Sequence, residues 1–336
     1  MPQVSSNEPA SCAPVLADLG ESGLLAGLFP LLPAGANTLL GPGDDAAVVA
    51  TPDGRVVASA DVLVEGRDFR RDWSSGQDVG WKAAAQNLAD IAAMGAVPTS
   101  LLVSLVAPGD LPVEWALDLA RGLAAACEGT GVGVVGGDLS SGAAITVAVT
   151  ALGDLQGRTP VLRSGAQPGQ DVALAGVLGR SAGGLAALQA WGPDIAAGRC
   201  PDLLAAHRRP RPTYALGPAA ASAGATAMLD ISDGLLRDAG RVCAASGVGI
   251  DLDETALGWF AERLRPAAEA LDIDPWEWVL GGGEDHGLLA VFAKGQVPAG
   301  FVVIGCTSAQ GPAVTVGGRE RLLGSGWDHF TPHLPH

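Results

Sequence analysis

Aspartates beside apolar segments are the residues of this sequence best placed to do chemistry. Each follows or flanks a segment that reads as a strand, mostly next to glycine, alanine or another small residue: Asp45, Asp61, Asp138 and Asp230. One such aspartate usually only caps a turn, but four in similar contexts indicate a shared site. Because gathered carboxylates repel one another strongly at low dielectric, they need cations among them. Oxygen ligands without histidine or cysteine favour a hard ion, for which magnesium is the natural candidate.

A fifth acid, Asp90, lies in an alanine-rich segment whose apolar spacing predicts a helix over 77–94. It comes one helical turn after Asn87, so both side chains project from the same side of that helix. A solvated helix face and a place in the carboxylate site both remain open on spacing alone.

One nucleotide motif occurs in the wrong context. Residues 131–136 fit G-x-G-x-x-G, but a predicted helix precedes them and a predicted strand follows, the reverse of the order that binds pyrophosphate. No G-x-x-x-x-G-K-[ST] occurs, which excludes a P-loop protein. The glycine-rich turn at 176–184 has strand–turn–helix order, and it fits a phosphate-binding turn and an ordinary turn equally well.

The same turn contains a nucleophile motif. Residues 179–183 fit G-x-S-x-G around Ser181, as in a hydrolase nucleophile elbow. A triad also needs a downstream histidine, and the candidates are His207, His286, His329, His333 and His336. His207 borders a basic, proline-rich segment at 208–212 and is predicted to lie at the surface. Phosphoryl transfer is favoured over a serine hydrolase because it uses magnesium and needs neither histidine nor cysteine.

Composition narrows the class of protein. The chain has 336 residues, enough for about two domains, and is globular, with 48% hydrophobic and 17% charged residues. Its 20 basic and 36 acidic residues give a formal charge of −16, which disfavours nucleic acid and membrane surfaces as partners. Five dispersed cysteines, and an N-terminus without a signal-like apolar segment, predict free thiols and a cytoplasmic location.

Strands and helices are predicted to alternate along the chain. The predicted strands are 38–40, 46–50, 55–60, 101–106, 132–135, 145–152, 172–175, 225–229, 288–292 and 301–304. The predicted helices are 16–29, 77–94 and 113–128, one that begins over 185–191, and one that follows Gly234 and ends at Ser246. Gly, Pro and Gln cluster at 153–169, which predicts domains over 1–155 and 156–336. The fold class is α/β (α+β), with two domains of mixed sheet flanked by helices.

Several of these motifs, taken in order, resemble the thiamine-monophosphate kinase family. The matching segments are 41–47, 59–66, Lys82 with 87–96, 136–138, 163–166, 230–234, 281–285 and 327–330. The run Asn87-Leu-Ala-Asp-Ile-Ala-Ala-Met-Gly-Ala96 and the motif Asp230-Ile-Ser-Asp-Gly234 are the specific ones. The resemblance extends from about residue 20 to the end of the chain.

The resemblance implies a two-domain fold of the aminoimidazole-ribonucleotide-synthetase type. It implies that ATP phosphorylates thiamine monophosphate to thiamine diphosphate, with several Mg²⁺ ions and direct in-line transfer. The domain 1–155 would bind ATP and magnesium and form a homodimer, and the domain 156–336 would complete the nucleotide and substrate site. Another ATP-dependent enzyme of this superfamily, or a non-catalytic cation-binding acidic protein, are the alternatives.

The resemblance also assigns residues to roles. The implied magnesium ligands are Asp45, Ser59, Ala60 (through its backbone), Asp61, Asp90, Asp138, Asp230 and Asp233. The implied ATP contacts are Gly137, Asp138, Arg163 and Ser232, and the implied substrate contacts are Asp68, Glu284 and Trp327. Asp61, Asp138 and Asp233 are the implied catalytic residues. The chain departs from the family's usual threonine at Ala60, histidine at Asp68, tyrosine at His286 and glutamate at Gly287.

Overall fold

A computed structural model describes residues 13–42 and 46–321 of the chain. Asp45 and Trp327 lie outside these ranges. The elements, in chain order, are α1 (Leu16–Leu28), a 3₁₀ turn (Phe29–Leu31), β1 (Thr38–Leu40), β2 (Val48–Val49), β3 (Val57–Val64), α2 (Gly76–Ala93), β4 (Val97–Ala107), α3 (Val113–Cys127), β5 (Gly133–Ser141), β6 (Thr146–Asp154), β7 (Asp171–Ala175), α4 (Arg180–Arg199), α5 (Pro201–Arg208), α6 (Leu216–Ser222), β8 (Ala227–Ile231), α7 (Leu235–Ser246), β9 (Gly249–Leu252), α8 (Glu254–Ala270), α9 (Pro275–Gly281), β10 (Gly287–Phe292), β11 (Val302–Ser308) and β12 (Val314–Val316). In this part of the chain, no helix has the length and hydropathy needed to cross a membrane.

The first large sheet has four strands in the order β3-β6-β4-β5, and α2 packs against it together with α3. The two helices approach closely because their contact residues are glycines. A Cβ on Gly80 would stand 2.0 Å from the carbonyl oxygen of Leu119, and one on Gly122 would stand 2.1 Å from that of Gln77. The N-terminus of α2 is fixed by a capping box between Ser75 and Asp78.

The second large sheet has six strands in the order β12-β9-β11-β7-β10-β8. Its strand β10 is buried along its whole length, which its apolar sequence explains. Both large sheets mix parallel and antiparallel pairs, since β4 runs parallel to β5 and β12 runs parallel to β9. The predicted fold class, two mixed sheets flanked by helices, is confirmed.

Helix α2 joins the two halves of the molecule. It packs on the first sheet and also contacts β8, α5 and α6. The indole Nε1 of Trp81 donates to the carbonyl of Pro210 at 2.6 Å, and Arg209 forms an ion pair with Asp78. The helix that carries Asn87 and Asp90 is therefore held against both sheets.

Three acid-bearing strands differ from the predicted ones. β3, β5 and β8 continue through Asp61, Asp138 and Asp230, so the prediction that these strands end before the acids is wrong. The backbone pairing continues at these positions, with Asp61 opposite Val149 and Asp138 opposite Ser104. β3 and β5 are the edge strands of their sheet, where a carboxylate can reach open space while the strand continues.

Candidate active site

A cleft of about 1080 Å³ opens between the two sheets. Its walls come from β3 and α2 on one side, and from β8, the start of α4 and the loop before β10 on the other. The fold brings most of the predicted site residues to this cleft: Ser59, Asp61, Asp68, Asp90, Arg163, Asp230, Ser232, Asp233 and Glu284.

One wall of the cleft is fixed by hydrogen bonds between β3 and α2. The Ser59 hydroxyl donates to Asp90 Oδ2 at 2.6 Å, and the Asp61 backbone N–H donates to Asn87 Oδ1 at 3.1 Å. Asn87 is fully buried and donates in turn to the carbonyl of Ala83 at 2.9 Å. The predicted shared side of Asn87 and Asp90 on the helix is confirmed, and both side chains contact the strand that carries Asp61.

Carboxylates from both sheets lie close together in the cleft. Burial and the charge of Asp230, with a smaller effect from Asp61, raise the pKa of Asp90 to about 7. Its bond from Ser59 only partly opposes this rise. A cation beside these oxygen ligands would remove the repulsion, and oxygen-only ligands fit Mg²⁺. The residues present therefore fit the ion that the sequence predicts.

The described residues do not form a complete metal cage. Within 13–42 and 46–321, no three His, Cys, Asp or Glu side chains converge closely enough to hold an ion by themselves. Mg²⁺ in phosphoryl-transfer sites is usually held by one or two carboxylates together with substrate phosphates and water. Asp61, Asp90 and Asp230 can provide such carboxylate ligands, while substrate phosphates and water provide the rest.

The loop before β10 reaches three different elements with three consecutive side chains. Glu284 faces Lys82 of α2, Asp285 accepts from the backbone N–H groups of Arg180 and Ser181 at 2.9 Å each, and His286 Nδ1 lies 2.9 Å from Asp230 Oδ2. Glu284 and His286 have φ of 63° and 50°, a left-handed backbone that costs free energy in residues other than glycine. The fold retains this strain because each side chain is held from outside the loop.

Asp285 also explains where α4 begins. Its carboxylate bonds the first two N–H groups of the helix, and Gly179 before it has a φ of 76°. The helix therefore starts at Arg180, earlier than the predicted start at residue 185. Burial raises the pKa of Asp285 to about 7, although the N–H groups of Ser181 and Arg180 work in the opposite direction.

Asp233 lies in the cleft with its charge already compensated. Its carboxylate forms an ion pair with Arg241, which also pairs with the buried Asp238. The backbone N–H of Asp233 donates to Asp238 Oδ2 at 2.9 Å, so Asp238 holds the turn after β8 in place. Burial raises the pKa of Asp238 to about 6. Neither Asp238 nor Arg241 was identified from the sequence.

The departures from the family pattern have local explanations. The carboxylate of Asp68 accepts the backbone N–H of Val64 at 2.8 Å and thereby closes the turn after β3. Burial works against a charged ring at His286, but its hydrogen bond with Asp230 raises the pKa of His286 overall. A side chain at Gly287 would meet the carbonyl oxygen of Val177 at 3.1 Å, within a tightly packed strand.

Of the predicted site residues that the structure describes, three do not line the cleft. Ala60 is exposed and, by the alternation of β3, faces away from Ser59 and Asp61. Gly137 and Asp138 lie on β5, three strands from β3, which is about 14 Å at 4.8 Å per strand. They line a second, more apolar cavity of about 630 Å³.

A buried polar cluster includes the serine of the G-x-S-x-G motif. Ser181 Oγ lies 3.1 Å from His207 Nδ1 and 3.3 Å from Glu284 Oε2, and the same His207 nitrogen lies 3.4 Å from Glu284 Oε2. The prediction of a surface position for His207 is wrong, since it is only 6% exposed. Burial, together with the charge of Lys82, lowers the pKa of His207 to about 3.

This cluster does not have the geometry of a hydrolase triad. In a triad the serine and the acid contact different nitrogens of the imidazole, whereas here both face Nδ1. Ser181 is also only 1% exposed. Sequence reasoning missed Lys82 as the buried partner of Glu284, although it is one of only two lysines in the chain.

Comparisons with known proteins identify the family of this chain. The family model described as AIR synthase related protein, N-terminal domain, matches residues 43–155, and the corresponding C-terminal domain matches residues 167–302. The thiamine-monophosphate kinase of Mycobacterium tuberculosis (strain ATCC 25618 / H37Rv) is 48% identical over 322 residues, which are 96% of this chain and 95% of that protein. The chain belongs to the thiamine-monophosphate kinase family. The family's enzyme from Corynebacterium glutamicum is 42% identical over 322 residues, 94% of this chain and 95% of that protein.

Solved structures of the thiamine-monophosphate kinase family have the same fold. Thiamine monophosphate kinase from Aquifex aeolicus matches with a TM-score of 0.73 and 30% identity, over 91% of this chain and 99% of that one. AaThiL in complex with AMPPCP and TMP matches with a TM-score of 0.74 and 31% identity, over 93% and 98%. The hydrogenase maturation protein HypE matches at 19% identity with a TM-score of 0.66, over 86% and 88%, which shows the shared fold alone.

Proposed function

We propose that this protein transfers the γ-phosphate of ATP to thiamine monophosphate, which yields thiamine diphosphate and ADP. The observation that carries the proposal is the cleft where Asp61 and Asp90 of the first sheet and its helix meet Asp230 of the second sheet. Support also comes from the related structure that binds AMPPCP and TMP.

The chemistry needs no strong general base. The second pKa of a phosphate monoester is about 6, so the acceptor is largely ionised near pH 7. Its terminal oxygen attacks the γ-phosphorus while the bond between that phosphorus and the β–γ bridging oxygen breaks, and ADP leaves with the bond's electron pair. This agrees with His207, whose low pKa and buried contacts leave it unsuited to accept a proton from substrate.

The main task of the chain is to bring two anions together. Mg²⁺, when bound, neutralises the developing charge on the phosphate oxygens. Asp61, Asp90 and Asp230 would hold the ions, while the bonds from Ser59 and Asn87 fix the side chain of Asp90 and the backbone at Asp61. Arg163 lines the same cleft and adds a positive charge there.

The remaining residue roles belong to the same proposal. Asp233 and Ser232, on the turn after β8, lie where they can contact the nucleotide and its ions. Glu284 and Asp68 line the substrate part of the cleft, and Asp68 acts there mainly by holding its turn. Asp45 as a metal ligand and Trp327 as an aromatic surface for the thiamine ring remain predictions from the resemblance.

We infer that the protein works as a homodimer that joins the outer faces of two first sheets. That face has exposed apolar side chains, with Val62 49% and Leu102 38% exposed. The register from Asp61 through β6 and β4 to Gly137 puts Asp138 on the face opposite Asp61. Asp138 would therefore reach a nucleotide site from the second copy. The dispersed cysteines, unpaired at all four described positions, support a cytoplasmic location.

A coupled assay for ADP release tests the proposed reaction. Purified protein with Mg²⁺ and ATP is tested against thiamine monophosphate, unphosphorylated thiamine and a panel of other phosphate monoesters. The proposal expects ADP to form with thiamine monophosphate alone, and Asp61→Asn to abolish it. Turnover with another phosphate monoester instead would contradict the assignment of substrate.

Mixing two inactive variants tests the shared site. If Asp138 acts on the partner's nucleotide, Asp61→Asn and Asp138→Asn are each inactive, yet a heterodimer of the two has one intact site. Co-refolding or co-expression in equal amounts then restores about a quarter of wild-type activity, because half of the dimers have one of two sites. Absence of restoration, with heterodimers present, would show that Asp138 serves its own subunit.

A further inference from the structure

The Glu284 carboxylate accepts hydrogen bonds from two buried side chains that belong to other elements. Lys82 Nζ donates to both of its carboxylate oxygens at 3.0 Å, and Ser181 Oγ donates to Oε2 at 3.3 Å. The two partners come from α2 and α4, 202 and 103 residues away in sequence. Lys82 is 5% exposed, whereas the Glu284 side chain keeps 36% of its surface open to the cleft. The donors are therefore buried, whereas the Glu284 carboxylate is partly open to the cleft.

The proton positions in this cluster follow from whether each group can donate or accept a hydrogen bond. A carboxylate can only accept, so the single hydroxyl proton of Ser181 goes to Glu284 Oε2. His207, neutral because its pKa is low, then holds its proton on Nδ1 and donates it to Ser181 Oγ, 3.1 Å away. The chain from His207 through Ser181 to Glu284 occupies Oε2. Oε1 has Lys82 as its protein partner and keeps a lone pair for a ligand.

The charge and the surroundings of Glu284 indicate which kind of ligand can donate a hydrogen bond to it. Lys82 cancels its negative charge, so the pair offers an acceptor without adding net charge beside an anionic substrate. Leu185 and Gln189 line the cleft one and two turns after Ser181, on the same face of α4. An apolar and amide surface with one neutralised acceptor suits an amino-bearing heterocycle.

We propose that Lys82, Ser181 and His207 are positioning residues that fix Glu284 as a charge-compensated acceptor for the amino-bearing ring of the substrate. This inference rests on the proposed kinase function, since thiamine monophosphate has an aminopyrimidine at the end away from its phosphate. Ser181, the serine of the G-x-S-x-G motif, then acts as a hydrogen-bond donor and not as a nucleophile. The ATP side of the cleft, with Asp90 and Asp230, does not depend on this cluster.

A double-mutant cycle between Lys82→Met and Glu284→Gln tests the inference in the full-length protein. Lys82→Met is expected to raise KM for thiamine monophosphate by about tenfold or more, the range for a hydrogen bond to a charged group, with KM for ATP unchanged. In the Glu284→Gln background the same change should add less than about twofold, because Lys82 acts through Glu284. Lys294→Met, at the exposed second lysine, is the matched control.

Two further readouts separate positioning from a general structural role. Although burial opposes it, Lys82 lowers the pKa of Glu284 to about 2. Lys82→Met should therefore move the acidic limb of kcat/KM for thiamine monophosphate to higher pH, and Lys82→Arg should restore part of the loss. Ser181→Ala is expected to raise that KM by about three- to tenfold. If Lys82→Met fails to fold by circular dichroism, the cycle of Ser181→Ala with Glu284→Gln takes its place.

The outcomes distinguish this inference from the proposed function. Both the proposed function and this inference would be contradicted if the wild-type protein neither phosphorylates thiamine monophosphate nor is stabilised by it against heat. Wild-type turnover with fully additive losses in the cycle, or an equal rise in KM for ATP, would overturn the positioning role alone. Non-additive losses confined to thiamine monophosphate support it.

Discussion

Asp90→Asn should stabilise the protein in the absence of magnesium while removing its activity. Burial and the charge of Asp230 raise the pKa of Asp90 to about 7 from the usual 3.8. Because the folded carboxyl resists ionisation, the contribution of Asp90 to the free energy of unfolding falls as pH rises from about 4 to about 7 and is then constant. At 1.36 kcal/mol per pKa unit, this penalty is about 2 kcal/mol at pH 5 and about 4 kcal/mol at pH 8. Asparagine has no such penalty and can still accept the hydrogen bond from Ser59.

Thermal and denaturant unfolding in EDTA at pH 5 and pH 8 measures this effect. The variant should unfold at a higher temperature than the wild type at both pH values, with the larger difference at pH 8. Adding Mg²⁺ and an ATP analogue should reverse the order, because the wild type then gains a ligand that the variant lacks. An equal difference at both pH values would refute the claim that Asp90 is repelled by neighbouring carboxylates.

Three other changes have defined outcomes. Asp61→Asn should lower kcat about a hundredfold or more with unchanged circular dichroism, whereas the exposed Asp110→Asn should keep full activity. Asp285→Ala leaves two N–H groups at the start of α4 without their acceptor, and should lower the free energy of unfolding by about 1–3 kcal/mol in urea titrations. Gly283→Ala would put a Cβ 2.2 Å from the carbonyl oxygen of Ser232, so the loop must shift. Its KM for thiamine monophosphate should rise, and an unchanged KM would show that the loop's conformation is not needed.

The sequence was most informative where one element determines the geometry. The spacing of Asn87 and Asp90 within a single helix correctly placed both on one side. The predicted order around residues 131–136, a helix before them and a strand after, is also confirmed. The sequence was less informative about strand ends. Small residues and an acid resemble a turn, but Asp61 sits inside β3 because pairing with β6 continues past it.

Contacts between distant segments could not be predicted from the sequence. His207 precedes a basic, proline-rich segment, which suggested a surface position, yet α5 packs so closely on α4 that a Cβ on Gly184 would meet the carbonyl oxygen of Leu203 at 2.2 Å. The left-handed backbone at Glu284 has no local signal, since no glycine or asparagine stands there. Such a conformation persists here because Lys82 and Ser181, both far away in sequence, hold the side chain.

Calorimetry with a non-hydrolysable ATP analogue tests the central claim, that carboxylates from both sheets bind the nucleotide through divalent ions. The claim predicts that the analogue binds only in the presence of Mg²⁺, and that Asp61→Asn and Asp230→Asn each strongly weaken this binding. Thiamine monophosphate should not prevent it. Tight binding of the analogue in EDTA, unaffected by either variant, would contradict it.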